Sequence, residues 1–244
     1  LKDASDMLVA GRGSEVVDAI WSAKQYRPDG IVNAADLWEE VSGSNESFRV
    51  PYPFAGINTP TYGLGLRELT TITAGTGVGK SAFVREIAYD LLMNKEMTVG
   101  MMNLEEGLRR TMQGILGIHM NEVLHVNSDT DEGKLREAFD AVTSTNRLHL
   151  YDSFGSSDPE VLIEKLRYMA VGLKCDFIVF DHIFIAVAGL DVDDRKALDM
   201  MVTKLRSLVE ETGVGLNMVA HLRRLEGNKG HENGVTTSLS HLRG

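Results

Sequence analysis

The chain has 244 residues, of which 43% are hydrophobic and 25% charged; these ordinary globular values exclude a wholly disordered, collagen-like or fibrous protein. Its 25 lysines and arginines against 35 aspartates and glutamates give a formal net charge of −10, so any contact with nucleic acid must be local. A lone cysteine, Cys175, excludes an intramolecular disulfide and fits a reducing compartment. The sequence shows neither a signal peptide nor an apolar run of about 20 residues. We therefore expect a soluble, cytoplasmic protein without membrane contact.

Two short helices and a loop-rich segment are predicted at the start of the chain. Residues 15–24 place apolar side chains at helical spacing behind a serine N-cap. After a Pro-Asp-Gly break, Asn33 can cap a second short helix, residues 33–41, whose apolar face needs a packing partner. Glycines and three prolines between residues 42 and 60 predict linker and loop, so we expect a domain boundary there.

Short apolar runs alternate with longer amphipathic ones from residue 66 onward. The predicted strands cover residues 69–73, 98–102, 147–152, 176–185 and 215–220, and the predicted helices cover 81–93, 106–116, 158–173 and 195–211. Strands that alternate with helices of this length predict an α/β fold with a parallel central sheet between layers of helices. In such a sheet, functional groups collect at the carboxyl ends of the strands.

A glycine-rich segment joins the first of these strands to the helix that follows it. After Ala74 it runs Gly75, Thr76, Gly77, Val78, Gly79, Lys80, Ser81. Glycines let successive backbone N–H groups point at phosphate oxygens, near the positive end of the following helix. Lys80 is expected to reach the β and γ phosphates, and Ser81 to offer its hydroxyl to Mg²⁺. The segment predicts a phosphate-binding loop (P-loop); the alternative, a glycine-rich turn with a chance lysine, is disfavoured by the flanking strand and helix.

Acidic and histidine side chains follow three other predicted strands. Asp181 ends an apolar strand that is buried on both faces, and it is the candidate to complete the Mg²⁺ site. Two adjacent acids end another strand, and of these we choose Glu105 over Glu106 to activate the attacking water, although both could merely begin a helix. His221 ends a further strand, where a contact with the γ phosphate and a structural role are about equally supported.

With these motifs in this order, the chain resembles the helicase half of phage bifunctional primase-helicases, which are Twinkle-like members of the DnaB-type hexameric helicases. The matching segments are residues 74–81, 104–106, 149–154, 175–182, 194–196, 203–205, 221–222 and 242–244. The resemblance implies a RecA-like P-loop NTPase core over residues 61–244, truncated at its carboxyl end. Before the core it implies an interdomain linker with a short subunit-contacting helix at residues 31–60, and the end of a primase (Toprim) region at residues 1–30.

The resemblance also implies an activity, that of an NTP-driven replicative DNA helicase that moves 5′ to 3′ on single-stranded DNA as a hexameric ring. It implies that residues 75–81 bind ATP or dTTP, that Ser81 and Asp181 hold Mg²⁺, and that Lys80, Glu105 and His221 act in catalysis. Arg223, Arg224, Lys229 and Arg243 would contact DNA. The stretch from 221 to 244 supports this in part, with four basic residues against two acids. A phage replication protein in the host cytoplasm, with a replisome polymerase as a further partner, is expected.

The resemblance implies that the family completes each site with an arginine finger from beyond the Leu-Arg-Gly segment at which this chain stops. We therefore expect the fragment alone to bind nucleotide and hydrolyse it slowly.

Two alternatives to the helicase remain at this point. A RecA-like or circadian-clock-type ATPase, acting in filament formation or regulated assembly, would use the same fold. The second alternative is a catalytically weak nucleotide-binding module that serves as an assembly scaffold.

Overall fold

A computed structural model of the chain describes residues 3–21, 32–42, 48–75, 77–125, 130–152, 158–187 and 194–221. The chain divides into two compact units, Leu1–Glu46 and Ser47–Gly244. Within the described ranges, no helix combines the length and the apolar character that crossing a bilayer requires.

The first unit contains short helices, and polar side chains cap the start of two helical segments. Its elements are α1 (Ala4–Val9), α2 (Gly13–Trp21), a 3₁₀ turn (Ala34–Leu37) and α3 (Trp38–Ser42). The Asn33 side chain accepts a hydrogen bond from the backbone N–H of Ala35 at 3.1 Å, which confirms the predicted cap. Asp3 caps α1 in the same way. Helix α1 is too short for apolar periodicity to reveal, and the sequence did not predict it.

The second unit begins with a small antiparallel pair of strands and a helix. These are β1 (Arg49–Val50), α4 (Ala55–Thr61) and β2 (Leu64–Gly65), with β1 paired to β2. The prediction of loop throughout residues 42–60 was therefore wrong for part of that segment. The side chain of Asn58 helps to hold this segment in a regular structure. It accepts a hydrogen bond from the backbone N–H of Tyr52 at 2.7 Å and donates one to the Tyr52 carbonyl at 3.0 Å. Pro60 lies in the last turn of α4, where it cannot donate a backbone hydrogen bond to the preceding turn, and the helix ends one residue later.

Five parallel strands form the central sheet of this unit, in the order β3-β7-β6-β4-β5. Their bounds are β3 (Leu69–Ala74), β4 (Val99–Asn103), β5 (Leu148–Leu150), β6 (Phe177–Asp181) and β7 (Gly215–His221). The predicted α/β class and parallel sheet are confirmed. The predicted strand 176–185 ends at Asp181, and a short helix follows it. An apolar run does not by itself distinguish a buried strand from a buried helix.

Helices cover both faces of the sheet. They are α5 (Lys80–Met93), α6 (Leu108–Met120), α7 (Glu132–Thr143), α8 (Pro159–Arg167) with a π-helical turn (Tyr168–Gly172), α9 (Ile183–Val187) and α10 (Asp194–Thr212). Alternate residues of β6 point to opposite faces: Phe177 and Val179 pack in the core under α5, α6 and α7, whereas Ile178 and Phe180 pack in the core under α8, α9 and α10. A strand buried on both faces explains the unbroken apolar run before Asp181.

Candidate functional site

The carboxyl ends of four neighbouring strands lie at one edge of the sheet. Each strand ends at, or within two residues of, a residue that the sequence predicts to be functional. Ala74 at the end of β3 lies in register with His221 of β7, and Asn103 of β4 lies in register with Asp181 of β6. Parallel strands all present their carboxyl ends at the same edge, so the fold brings together side chains that are up to 147 positions apart in sequence, from Ala74 to His221.

The glycine-rich loop connects β3 to α5 at this edge. Gly77 and Gly79 have φ angles of +77° and +99°, a left-handed conformation that residues with a Cβ atom rarely adopt. Gly79 is also the residue that precedes the first turn of α5, so the loop delivers the chain directly into the positive end of a 14-residue helix. Thr76, one of the predicted nucleotide-binding residues, lies outside the described residues. The Val78 side chain is exposed.

The Lys80 side chain folds back over the loop that precedes it. Its ammonium donates hydrogen bonds to the carbonyl oxygens of Ala74 at 3.0 Å and Gly75 at 2.9 Å, and only 8% of the residue is exposed. Burial lowers the pKa of Lys80, while the carboxylates of Asp181 and Glu105 act in the opposite direction. A cation thus lies inside the loop, close to the place where the sequence predicts phosphate groups.

Ser81 and Asp181 face each other across the start of α5 and the end of β6. The Ser81 hydroxyl lies near enough to the Asp181 carboxyl to act on its pKa, and Asp181 is 4% exposed. Burial raises the pKa of Asp181, and the Ser81 hydroxyl works against that shift. A hydroxyl and a carboxylate side by side are the oxygen ligands that Mg²⁺ takes when it also binds phosphates and water. The donor set therefore fits the predicted metal.

The two adjacent glutamates after β4 point to different partners. Glu106 forms an ion pair with Arg85 of α5, in which the two side chains are 12% (Arg85) and 23% (Glu106) exposed. Glu105 instead approaches the histidines at the ends of β6 and β7, with its Oε2 3.7 Å from Nε2 of His182. Glu105 influences the pKa values of both Lys80 and Asp181, whereas Glu106 acts on that of Asp181 and not on that of Lys80.

A pair of histidines completes the cluster. The rings of His182 and His221 are nearly perpendicular, at 86°, with centroids 4.2 Å apart. Burial, followed by the neighbouring His221 ring, lowers the pKa of His182 to about 4. Burial and the charge of Lys80 lower the pKa of His221, and the carboxylates of Glu105 and Asp181 oppose that shift. Both imidazoles are therefore held toward their neutral forms.

Sequence reasoning missed His182 and Asn103. His182 directly follows Asp181 at a strand end, and that adjacency was the one available signal. Asn103 is buried, and its Nδ2 donates to Oγ1 of Thr111 in α6 at 3.0 Å. Its amide fastens the end of β4 to α6, immediately before the two glutamates. The predicted DNA-contacting residues Arg223, Arg224, Lys229 and Arg243 lie outside the described part of the chain.

Comparison with known proteins adds a family and a curated relative. The family model described as the DnaB-like helicase C terminal domain matches residues 50–244. A DNA helicase/primase of Enterobacteria phage T3 is 36% identical over 256 residues, an alignment that covers 100% of this chain and 45% of that protein. The chain thus spans about half the length of the curated relative it matches.

Solved structures share the fold. A DnaB-like replicative helicase, whose structure was determined together with its interactions with primase, superposes with a TM-score of 0.68 at 18% identity, covering 98% of this chain and 59% of that one. A solved ATPase domain gives 0.65 at 19% identity, covering 88% of this chain and 78% of that one. A KaiC-like protein of the archaeon Pyrococcus horikoshii OT3 gives 0.56 at 16% identity, covering 72% of each chain. These neighbours confirm the predicted RecA-like core.

Proposed function

This chain belongs to the family of DnaB-like helicase C-terminal domains, and from that premise we propose that it is the motor of a replicative DNA helicase. The motor hydrolyses a nucleoside triphosphate, ATP or dTTP, and uses the energy to move along single-stranded DNA. The observation that carries the proposal is the convergence of Lys80, Asp181, Glu105 and His221 at one sheet edge, beside a loop with two left-handed glycines.

Each of these side chains has a role that its position supports. The Lys80 ammonium exchanges its two carbonyl partners for phosphate oxygens, while Ser81 and Asp181 hold Mg²⁺. The metal ion supplies positive charge against the phosphates. Glu105 orients and deprotonates the attacking water, since it is the acid of the pair that is not engaged with Arg85. Neutral His221 donates a ring N–H to the γ phosphate and reports its loss to the segment that follows β7.

We propose that this segment, residues 222–244, contacts DNA through Arg223, Arg224, Lys229 and Arg243. Its surplus of two positive charges in a chain of net charge −10 favours phosphate contacts that do not depend on base sequence. Replacing Arg223 and Arg224 together with alanine should reduce the slope of log affinity against log salt by about 2. The control Lys165→Ala, on the exposed side of α8, should leave the slope unchanged. An unchanged slope in the double variant would place the DNA elsewhere.

The proposed assembly is a homo-oligomeric ring, hexameric in this family, in which the linker helix of one copy packs on the next. On α3, Trp38 and Val41 are 73% and 74% exposed and form an apolar face. On the second unit, α6, α7 and β5 surround an apolar groove of about 740 Å³. Its apolar lining includes Leu108, Met112, Leu116, Leu135, Phe139 and Leu148. We propose that the groove receives the Trp38 face of a neighbouring copy.

The test is nucleotide hydrolysis with and without single-stranded DNA, together with unwinding of forked duplexes that carry a 5′ or a 3′ tail. A helicase motor gives DNA-stimulated turnover and unwinds the fork that carries the 5′ tail. A RecA-like or circadian-clock-type ATPase, the alternative that the KaiC-like neighbour keeps open, gives turnover and assembly without unwinding. A scaffold function would instead persist in a Glu105→Gln variant whose turnover is lost.

A further inference from the structure

We propose that Glu105, His182 and His221 form a second cation site, specific for a divalent transition metal such as Zn²⁺, next to the predicted Mg²⁺ position. Each residue offers one ligand atom, and these atoms all lie within 4.8 Å of one another. The three side chains come from the ends of β4, β6 and β7, which are neighbours in the sheet, so the arrangement is part of the fold.

The donor set separates this site from the Mg²⁺ position. Two imidazole nitrogens and one carboxylate oxygen are ligands that Zn²⁺ and its neighbours in the first transition row prefer, whereas Mg²⁺ prefers oxygen ligands and retains its waters. Ser81 and Asp181 offer only oxygen. Mg²⁺ would thus bind at Ser81 and Asp181, and a transition-metal ion would bind at the adjacent position at the same edge of the sheet.

The bonding state of His182 is the second observation. The residue is 7% exposed, yet its Nδ1 has no hydrogen-bond partner among the described residues. Its Nε2 is 3.7 Å from the nearest carboxylate oxygen, on Glu105, which exceeds a hydrogen bond. Buried ring nitrogens normally have a partner. A metal ion bound between His182 and Glu105 would contact Nε2, the nitrogen that faces Glu105, and would leave Nδ1 as it is.

The distances are close to those a metal requires. Bonds of about 2.0–2.2 Å in a tetrahedral site place ligand atoms about 3.3–3.5 Å apart. The His182–Glu105 pair, at 3.7 Å, needs only a small movement, and the Glu105 side chain is 53% exposed. His182 is held by burial and by the perpendicular His221 ring. The ammonium of Lys80 opposes the cation, whereas the carboxylates of Asp181 and Glu105, which both raise the pKa of Lys80, favour it.

Binding at this site would stop hydrolysis. A metal ion on Glu105 occupies the lone pair with which that residue would take a proton from water, and coordination through the unprotonated nitrogen of His221 would fix that ring at the metal. This consequence rests on the proposed function, whereas metal binding itself does not. A transition-metal ion would therefore act as an inhibitor of hydrolysis.

The experiment uses Co²⁺ as a spectroscopic substitute for Zn²⁺. Chelator-treated protein without nucleotide is titrated with Co²⁺, and the visible d–d absorption of low-coordinate cobalt is followed; Zn²⁺ and then Mg²⁺ are added as competitors. The variants are Glu105→Gln, His182→Gln and His221→Gln, and the matched control is His125→Gln, an exposed histidine after α6. Thermal melts confirm that each variant is folded, and hydrolysis of the parent with Mg²⁺ alone is measured in parallel.

We expect saturable Co²⁺ binding that Zn²⁺ displaces and Mg²⁺ does not, weakened at least tenfold by Glu105→Gln and by either site histidine variant. The control should bind Co²⁺ as the parent does. The proposal is overturned by an affinity that Glu105→Gln leaves unchanged, because this exposed side chain can be replaced without unfolding the protein, or by an affinity lost in His125→Gln. Hydrolysis without Co²⁺ binding would overturn this inference alone, and Co²⁺ binding by a protein that neither binds nor hydrolyses nucleotide would overturn the proposed function alone.

Discussion

Two adjacent acids, Glu105 and Glu106, should respond to the same substitution with different defects. Glu105→Gln preserves size and hydrogen bonding but removes the carboxylate that we propose takes the proton from water. Loss of a general base typically costs a factor of about 10² to 10⁴ in rate. We therefore expect kcat to fall by about that factor, with little change in KM for nucleotide and in thermal stability, because the Glu105 side chain is half exposed.

Glu106→Gln should instead destabilise the fold. It leaves Arg85 without its partner in an ion pair whose side chains are 12% (Arg85) and 23% (Glu106) exposed. Exposed pairs contribute up to about 1 kcal/mol and breaking fully buried ones costs about 3–5 kcal/mol, so we expect a loss of about 2 kcal/mol for this intermediate case. At this chain length that corresponds to a fall in Tm of about 4–8 °C. We expect kcat to remain within about tenfold of the parent value, equivalent to about 1.4 kcal/mol.

The assay is steady-state hydrolysis with Mg²⁺ and single-stranded DNA, at a temperature well below both melting points, together with calorimetric Tm values. Glu164→Gln, on the exposed face of α8, is the control and should change neither quantity. Turnover abolished by Glu106→Gln and preserved in Glu105→Gln would refute the assignment. Equal losses of turnover in both variants would show that the pair acts as a unit and that the separation of roles is wrong.

Three further predictions concern single positions. Gly215→Ala places a Cβ 2.4 Å from the Phe177 ring and 2.9 Å from a backbone oxygen. Unfolding in urea should therefore show that the free energy of unfolding falls by about 1–3 kcal/mol. An unshifted unfolding midpoint would contradict the close packing at this position. Gly79→Ala forces an alanine to adopt a φ of +99°, which costs about 1–3 kcal/mol. The fluorescence anisotropy of a labelled nucleotide should therefore show weaker binding. An unchanged nucleotide affinity would contradict the loop geometry. Burial raises the pKa of the Cys175 thiol to about 12, so Ellman's reagent should react with it only after denaturation, and rapid reaction of the native protein would contradict the burial.

The sequence predicted the positions of elements whose pattern is local. The glycine-rich segment was expected between a strand and a helix, and it lies between β3 and α5. Asp181 was expected at the end of a strand buried on both faces because an unbroken apolar run precedes it, and it is the last residue of β6. The same run misled at its far end, where α9 continues the apolar composition in helical form. The roles of Lys80, Glu105 and His221 remain predictions, since geometry supports them without testing them.

The residues that were missed depend on contacts between distant segments. His182 has no motif of its own, and its importance comes from lying between Glu105 and His221 in a sheet whose strand order single-sequence patterns do not contain. Arg85 is an ordinary helix residue until α5 and the end of β4 are brought together. Helix α7 was missed because its apolar residues are sparse, and only two of them, Ala138 and Val142, are buried.

One of the two outermost strands of the sheet, β5, limits how identical molecules can pair with one another. β5 has three residues, Leu148–Leu150, and lies at the end of the strand order. An open strand edge can pair with a foreign chain, and proteins limit that hazard by keeping such edges short. With so few main-chain donors and acceptors to offer, β5 is a poor template for adventitious sheet growth. Neighbouring copies that meet along this flank must recognise one another by the shape of their side chains, which favours one defined docking geometry over open-ended aggregation.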